Sequence, residues 1–379
     1  MNGERTLWQV IGVRGAVGAA ISAIVLVTIA AFFVGRRPLP SPSSGPVVDT
    51  SASVGPLPLP PITARRTFQT PLDVSTFQRG NIHTHSNWSD GDRPPRDVYV
   101  WYRTHGFNFV ALTDHNTRAS PQTFKALEKP TFVIIAGEEV TMTVQRTRVH
   151  VNGLCTKRTI GGGKHPSVRA ALVHAIEYVH AQGGIALINH PNFDWALTAD
   201  DIKSAAGAEL LEIYSSHPDV NTNGDGQHPS QEAIWEKLLD QGETIGSVAV
   251  DDAHYFNTDK LKVANSAKPG FGWVEVFAAA ADRNQICDAL RKKQLYSSSG
   301  ASLSRIRVTS EAFSVWPKEE GATVEFIGNG GQVFEKKDRG KDGETTYQLR
   351  GIEQYVRARI SLPDGRKAWT QAYRTIPAN

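Results

Sequence analysis

Cysteine is nearly absent from this sequence: Cys155 and Cys287 are the only two among 379 residues. Two cysteines so far apart exclude a zinc-finger arrangement and a disulfide framework, both of which need closely spaced sets. They read as ordinary buried thiols, with a single bridge left open. An excess of charge of one sign is lacking too. Lysine and arginine number 41 against 38 acidic residues, a formal net charge of +3. The cations are scattered rather than gathered into a block, so no nucleic-acid partner is expected. With 40% hydrophobic and 21% charged residues, the chain has apolar material for one large core and a smaller one.

Charge is missing altogether from Gly15 to Gly35, GAVGAAISAIVLVTIAAFFVG. At about 1.5 Å rise per residue this run is roughly 31 Å long as a helix, the thickness of the hydrocarbon layer. The apolar core of a cleaved signal peptide is only about 7 to 15 residues and leads into small residues. Here the run is longer and ends in Phe32 and Phe33, followed by Arg36 and Arg37. Residues 15–35 are therefore expected to be an uncleaved transmembrane anchor behind a tail of residues 1–14. Arg5 and Arg14 on one side balance Arg36 and Arg37 on the other, so charge does not orient it. Residues 36–78 are expected to be a linker, because PLPSPSSGPVVDTSASVGPLPLPPIT resists collapse and behaves as an extended spacer. Such a tether suits a folded domain held outside the cytoplasm.

From residue 79 to 300 short apolar strands alternate with amphipathic helices. NIHTH, FNFVALTDH, TFVIIAGEEVT, IALINHP, ELLEIYSS and TIGSVAVDDAH read as strands. Pro95 to His105, Pro166 to Gln182 and Pro229 to Gln241 read as helices, each opened by a proline that the first turn tolerates. Repeated units of this kind close into a parallel barrel or an open parallel sheet.

The chemically able residues sit at the strand ends. His83 and His85 are two apart on a strand and project to one face, and Asp252 and His254 repeat that spacing. His115, Glu139, His150 and His190 also lie at or near strand ends, which in a barrel converge on one face. Imidazoles and carboxylates together suit divalent manganese, zinc or iron, and the lack of nearby thiolate argues against an iron–sulfur cluster. Ions held there lower the pKa of water and polarise a substrate oxygen, which makes hydrolysis the expected chemistry.

In order and approximate spacing, HTHSNWSDG (His83 to Gly91), VALTDHN (Val110 to Asn116), GEEVT (Gly137 to Thr141), His150, NHP (Asn189 to Pro191) and DDAH (Asp251 to His254) resemble the polymerase and histidinol phosphatase (PHP) superfamily of metal-dependent phosphoesterases. The resemblance implies an α/β fold, a distorted TIM-like βα barrel of the PHP type, with a site for two or three divalent ions. It implies His83, His85, Glu139 and Asp252 around one ion, Asp90, His115 and His254 around a second, and Glu139 bridging. A third ion would take Glu139, His150 and His190. His83, His85, Asp252 and His254 are expected at the catalytic centre. Glu139 is preferred to Glu138 because Gly137, Glu139 and Thr141 match the family form, with Glu138 as the fallback. Asp90 stands where some relatives have histidine, which makes the site harder and more negative.

Asp114 is expected to support this set rather than to belong to it. His105, His174 and His180, in helical segments, read as ordinary surface or packing residues, His165 lies in a glycine-rich loop with no role assigned, and His217, in the polar loop Ser215–His228, reads as a solvated loop residue with substrate contact as the alternative. Residues 301–379 change to alternating segments such as LSRIRVTS and ATVEFIG, with turns at GNGG, GKDG and PDG, and read as a small all-β sandwich-like domain. The closing YVRARISLPDGRKAWTQAYRT resembles the carbaryl-hydrolase-like branch of the superfamily. The expected substrate is a small ester: a phosphoester attacked by a metal-bridging hydroxide, or a carbamate or carboxylic ester on the same site. Arg118, just after TDHN, is the candidate contact for phosphate, with a solvated loop charge as the equal alternative. The non-enzymatic alternative is a membrane-anchored binding module.

Overall fold

In the computed structural model, residues 65–257 and 266–378 are described. The expected anchor at 15–35 and most of the expected linker lie outside them. No helix among the described residues is long and apolar enough to cross a membrane.

The strands Gln78–Asn81, Phe109–Ala111 and Val133–Ile135 run parallel, with Gly80 opposite Phe109 and Val110 opposite Ile134. A second ladder runs through Gly246–Val250, Leu210–Ser215, Ile185–Ile188, Thr147–Leu154 and Glu139–Val144. Hydrogen bonds join the two ladders at both edges. At one, Cys155 N donates to Ala136 O and Gly153 N to Glu138 O. At the other, Thr84 bridges Ala253, Asp252 N donates to His83 O and His85 N to Ala253 O. The result is a closed ring of mostly parallel strands, interrupted where Thr147–Leu154 runs antiparallel to both neighbours. The parallel strands IALI and GSVAV are buried along their whole length, as strands covered on both faces must be.

The helices pack on the ring through residues at three- and four-residue spacing. Val168–His180 buries Ala171, Leu172, Ala175, Ile176 and Val179, and Gln231–Asp240 buries Ile234, Trp235, Leu238 and Leu239. Both start later than their prolines suggest, because Ser167 and Ser230 are the caps: Ser167 Oγ accepts from Ala170 N at 3.2 Å and Ser230 Oγ from Ala233 N at 3.1 Å. The short helix Ala199–Ala205, not expected from apolar periodicity, begins with a capping box of Thr198 and Asp201.

Residues 301–378 form antiparallel strands in two layers, around a core that includes Phe313, Val324, Phe326 and Ile360. Two boundaries differ from expectation. Arg66–Phe68 and Leu72–Val74, inside the expected linker 36–78, are strands of these layers, Arg66 opposite Pro377 and Val74 opposite Ile306. Three residues are too few to show alternation, and their partners lie at the far end of the chain. Nor do 79–300 and 301–379 separate as two domains, because one eleven-stranded sheet passes from Lys367–Thr370 through Leu295–Ser298 and Trp273–Val276 to Gln78–Asn81, within one compact unit. The cysteines are a further correction. Rather than two thiols, Cys155 and Cys287 form a disulfide, with Cα atoms 6.2 Å apart, between the end of Thr147–Leu154 and the helix Arg283–Arg291.

Candidate metal centre

His83 and His85 stand just past the end of Gln78–Asn81, where Thr84 is bridged to Ala253, so the extended course continues and both rings face one side. Their exposures are 0% and 1%, and their Nε2 atoms are 3.3 Å apart. Asp252 reaches the same point by a different route from the strand alternation expected of it. It adopts φ 50°, a left-handed turn beyond Gly246–Val250, and its Oδ1 lies 3.3 Å from His83 Nε2 and 3.2 Å from His85 Nε2.

The segment expected to be one strand from Thr131 is two, Val133–Ile135 and Glu139–Val144, separated at Gly137. A side chain at Gly137 would put Cβ 2.7 Å from Leu112 O, so only glycine allows this close approach. Glu139 then enters the centre of the cluster. Its Oε1 lies 2.9 Å from His150 Nδ1, 3.3 Å from His190 Nε2 and 3.5 Å from His83 Nε2. Its Oε2 lies 3.0 Å from His115 Nδ1 and 3.3 Å from His85 Nε2. Glu138 points away and accepts from Ile160 N and Gly161 N, so the fallback is not needed. Asp90, the most exposed of the set, lies 3.4 Å from His115 Nε2 and 3.4 Å from His254 Nε2. All nine positions singled out from sequence are thus brought together, in overlapping groups of three whose ligand atoms lie within 4.8 Å of one another.

The electrostatics follow from burial and crowding. Burial alone would raise the Glu139 carboxyl, but His150, His115 and His83 hold it well below the usual carboxylate range. Asp252 behaves likewise, under His83 and His85. Burial opposes charge on His115, yet Glu139 and Asp90 outweigh it and raise that ring to about 10. Burial and the neighbouring His254 push His85 down to about 4.

The donor set fits divalent ions. Glu212 Oε1 lies 2.6 Å from His83 Nδ1 and, as a carboxylate, accepts a hydrogen bond from it, which turns His83 Nε2 toward His85 Nε2, Glu139 and Asp252. Burial opposes charge on His83, yet Asp252, Glu212 and Glu139 outweigh it and hold a proton on the ring, and a divalent cation would take the place of that proton. Two nitrogens at about 2.0–2.1 Å from a tetrahedral ion stand roughly 3.3–3.4 Å apart, and His83 Nε2 to His85 Nε2 is 3.3 Å and His150 Nδ1 to His190 Nε2 is 3.4 Å. His150 Nε2 is buried with no hydrogen-bond partner, so the ring's polar contacts are all on its Nδ1 side.

Several supporting residues escaped the sequence reading. Glu212 is fully buried, orients His83 and accepts from His190 N at 2.9 Å; its signal was a carboxylate inside the buried strand Leu210–Ser215. Asn189 Nδ2 donates to Glu139 Oε1 at 2.9 Å, and Thr141 Oγ1 lies 2.6 Å from His115 Nδ1. Asp114 supports the set as expected: it accepts from Ser86 N, Ser86 Oγ and Ser89 Oγ and so shapes the loop after His85. His105 stacks on Trp101 and His180 pairs with Glu209, away from the cluster.

The cluster opens into a cavity of about 140 Å³ whose other walls are Arg148, Phe193, His217 and Asp219. Here two expectations fail. Arg118 does not reach this cavity; its Nε donates to Thr156 O at 2.9 Å elsewhere, and Arg148, two residues before His150 on the same strand, is the cation at the mouth. His217 is not merely a solvated loop residue, since its ring lies 5.1 Å from that of His254. Its loop is clamped: Asn192 Nδ2 donates to Asn221 O, Asn221 Nδ2 to Asn192 O, and Trp195 stacks on His228 at 4.0 Å. Asp194 and Trp195 take φ 51° and 53°, a strained turn directly after Phe193.

No family model matches the chain. Among solved structures it is similar to a two-domain protein of Bacteroides vulgatus containing a predicted PHP-like metal-dependent phosphoesterase, at 12% identity and TM-score 0.41, covering 80% of this chain and 96% of that one. It is also similar to a candidate metal-dependent phosphoesterase of Bifidobacterium adolescentis, at 14% identity and TM-score 0.37, covering 56% and 96%. At these values the likeness carries no argument about this chain. Among curated proteins it is similar to the uncharacterized protein MJ1587 of Methanocaldococcus jannaschii, 30% identical over 125 residues, which span 30% of this chain and 67% of the relative. On that extent and identity the chain belongs to the same family as this uncharacterized archaeal protein.

Proposed function

We propose that the protein is a metal-dependent hydrolase of small esters, of the PHP type, with phosphoesters its favoured substrates. The observation that carries this reading is the convergence of nine imidazole and carboxylate side chains, six of them buried and eight of them lining one small open cavity. The ions would be held by His83, His85, Glu139 and Asp252, by Asp90, His115 and His254 with Glu139 shared, and by Glu139, His150 and His190. Bound there, divalent ions supply a water of lowered pKa and neutralise charge on substrate oxygens.

The chain's own residues do the rest. Arg148, with no ion-pair partner among the described residues, meets an anionic group at the mouth and favours phosphoester over neutral carbamate. Asp219 N donates to His217 Nδ1 at 3.2 Å, which leaves the ring proton on Nε2 as a donor for a substrate oxygen. Phe193 closes one wall against water. Metal analysis of the purified protein, with a panel of phosphate, carbamate and carboxylic esters, tests the reading. Two or three equivalents of metal and phosphoesterase activity lost in His83→Ala and Asp252→Ala are expected; a protein without metal, or activity unchanged in both variants, refutes it.

For location, the reading is a membrane anchor at residues 15–35 with the catalytic unit outside the cytoplasm. The Cys155–Cys287 disulfide supports an oxidising compartment. Membrane fractionation with protease protection checks it, and a catalytic unit shielded on the cytoplasmic side overturns it.

A further inference from the structure

A second cavity, of about 530 Å³, is larger than the one at the metal centre and separate from it. It lies where the end of Thr147–Leu154, the loop that carries Arg118 and the helix Arg283–Arg291 meet, and the Cys155–Cys287 disulfide ties two of its walls together. Its size is that of a small-molecule site. Four cations line it, Arg118, Lys157, Arg283 and Arg291, and no carboxylate does.

Only Arg283 is neutralised locally, by Glu128 at 2.5 Å. Backbone carbonyls hold two of the others without cancelling their charge: Arg118 Nε donates to Thr156 O at 2.9 Å and Arg291 Nη2 to Gly183 O at 2.6 Å. Glu138, the acid whose charge Arg118 feels, is taken up by Ile160 N and Gly161 N. Among the described residues, Arg118, Lys157 and Arg291 have no ion-pair partner. Thr156 adds an independent observation. It lines the cavity at 2% exposure, and its Oγ1 has no hydrogen-bond partner. A buried hydroxyl left unbonded is costly, as are like charges gathered at one place. One anionic ligand would relieve both.

We propose that this cavity binds a small anion carrying two or more phosphate groups. Arg118, Lys157 and Arg291 meet the phosphate oxygens, and Thr156 donates its hydroxyl to one of them. A single phosphate would leave most of the cavity empty and part of the charge unmatched; a diphosphate answers both.

Titration calorimetry of the full chain with inorganic pyrophosphate, orthophosphate and ADP tests this. Pyrophosphate or ADP should bind more tightly than orthophosphate, and whichever of the two is tighter tells an inorganic from a nucleotide source. Lys157→Glu and Arg291→Gln should each weaken that binding by at least about tenfold, the effect of losing one charge-assisted contact. Arg148→Ala, at the metal centre, should leave it within about twofold. The Lys157 side chain makes no hydrogen bond or ion pair among the described residues, so its replacement preserves the fold, which thermal unfolding verifies. No binding at millimolar ligand, or binding lost in Arg148→Ala and kept in Lys157→Glu, overturns the proposal.

Discussion

Removing the carboxylate at Glu212 tests the logic of the site, because this residue touches the proposed ions only through a histidine. In Glu212→Ala two buried donors lose their acceptor at once: His83 Nδ1, 2.6 Å away, and His190 N, 2.9 Å away. Each orphaned donor costs about 1–3 kcal/mol, so the ion-free protein should lose about 2–6 kcal/mol, a large part of an ordinary domain's stability of about 5–15 kcal/mol. Glu212→Gln keeps the shape and one acceptor, but its amide N–H₂ then faces the second donor, so roughly half that loss is expected. The His83 ring is also freed to turn. Metal affinity should fall about 10- to 100-fold in either variant, as it does when a carboxylate behind a ligating histidine is lost. Urea unfolding of chelator-treated protein gives the first quantity and competition with a chromophoric chelator the second. If Glu212→Gln matched the wild type in both, the carboxylate would not be what sets the His83 ring, and the case for ions at His83 Nε2 would fail.

The disulfide closes a separation of 132 residues, which corresponds to about 5 kcal/mol of chain entropy at most; reductant or Cys155→Ser should lower the midpoint of thermal unfolding by several degrees, and an unchanged midpoint refutes a structural role. Gly137→Ala should destabilise the fold and displace Glu139, since Leu112 O lies 2.7 Å from the new Cβ and, being backbone, cannot swing aside; thermal unfolding and metal content together check this, with wild-type values in both refuting it. Arg148→Ala should raise KM for anionic esters by about tenfold with little change in kcat, and leave neutral carbamates untouched; an equal effect on both classes would show that Arg148 does not read charge. Chelation should abolish hydrolysis and lower the unfolding midpoint, and reloading should release protons, because raised rings such as His115 must give theirs up to bind an ion; loading without proton release counts against the assignment.

What sequence alone determined about this protein is chemical and local. The residue types able to hold ions, their order along the chain and their place at strand ends are legible because imidazole and carboxylate have few other reasons to recur at the ends of apolar strands. Helices and buried strands are legible for a related reason, since burial of one face imposes a period on neighbouring residues. Everything that depended on distant partners was settled by the tertiary structure. Glu212 is one carboxylate among many until the ring of strands brings His83 against it. Arg148 rather than Arg118 reaches the mouth because an antiparallel strand turns the former inward and Thr156 O holds the latter away. Arg66–Phe68 and Leu72–Val74 are strands only because Tyr373–Pro377 and Leu303–Val308 lie beside them, and the two cysteines become a bond only because the fold sets their Cα atoms 6.2 Å apart. Local sequence carries side-chain chemistry and periodicity, whereas orientation, pairing and proximity between remote residues exist only once the chain has closed on itself.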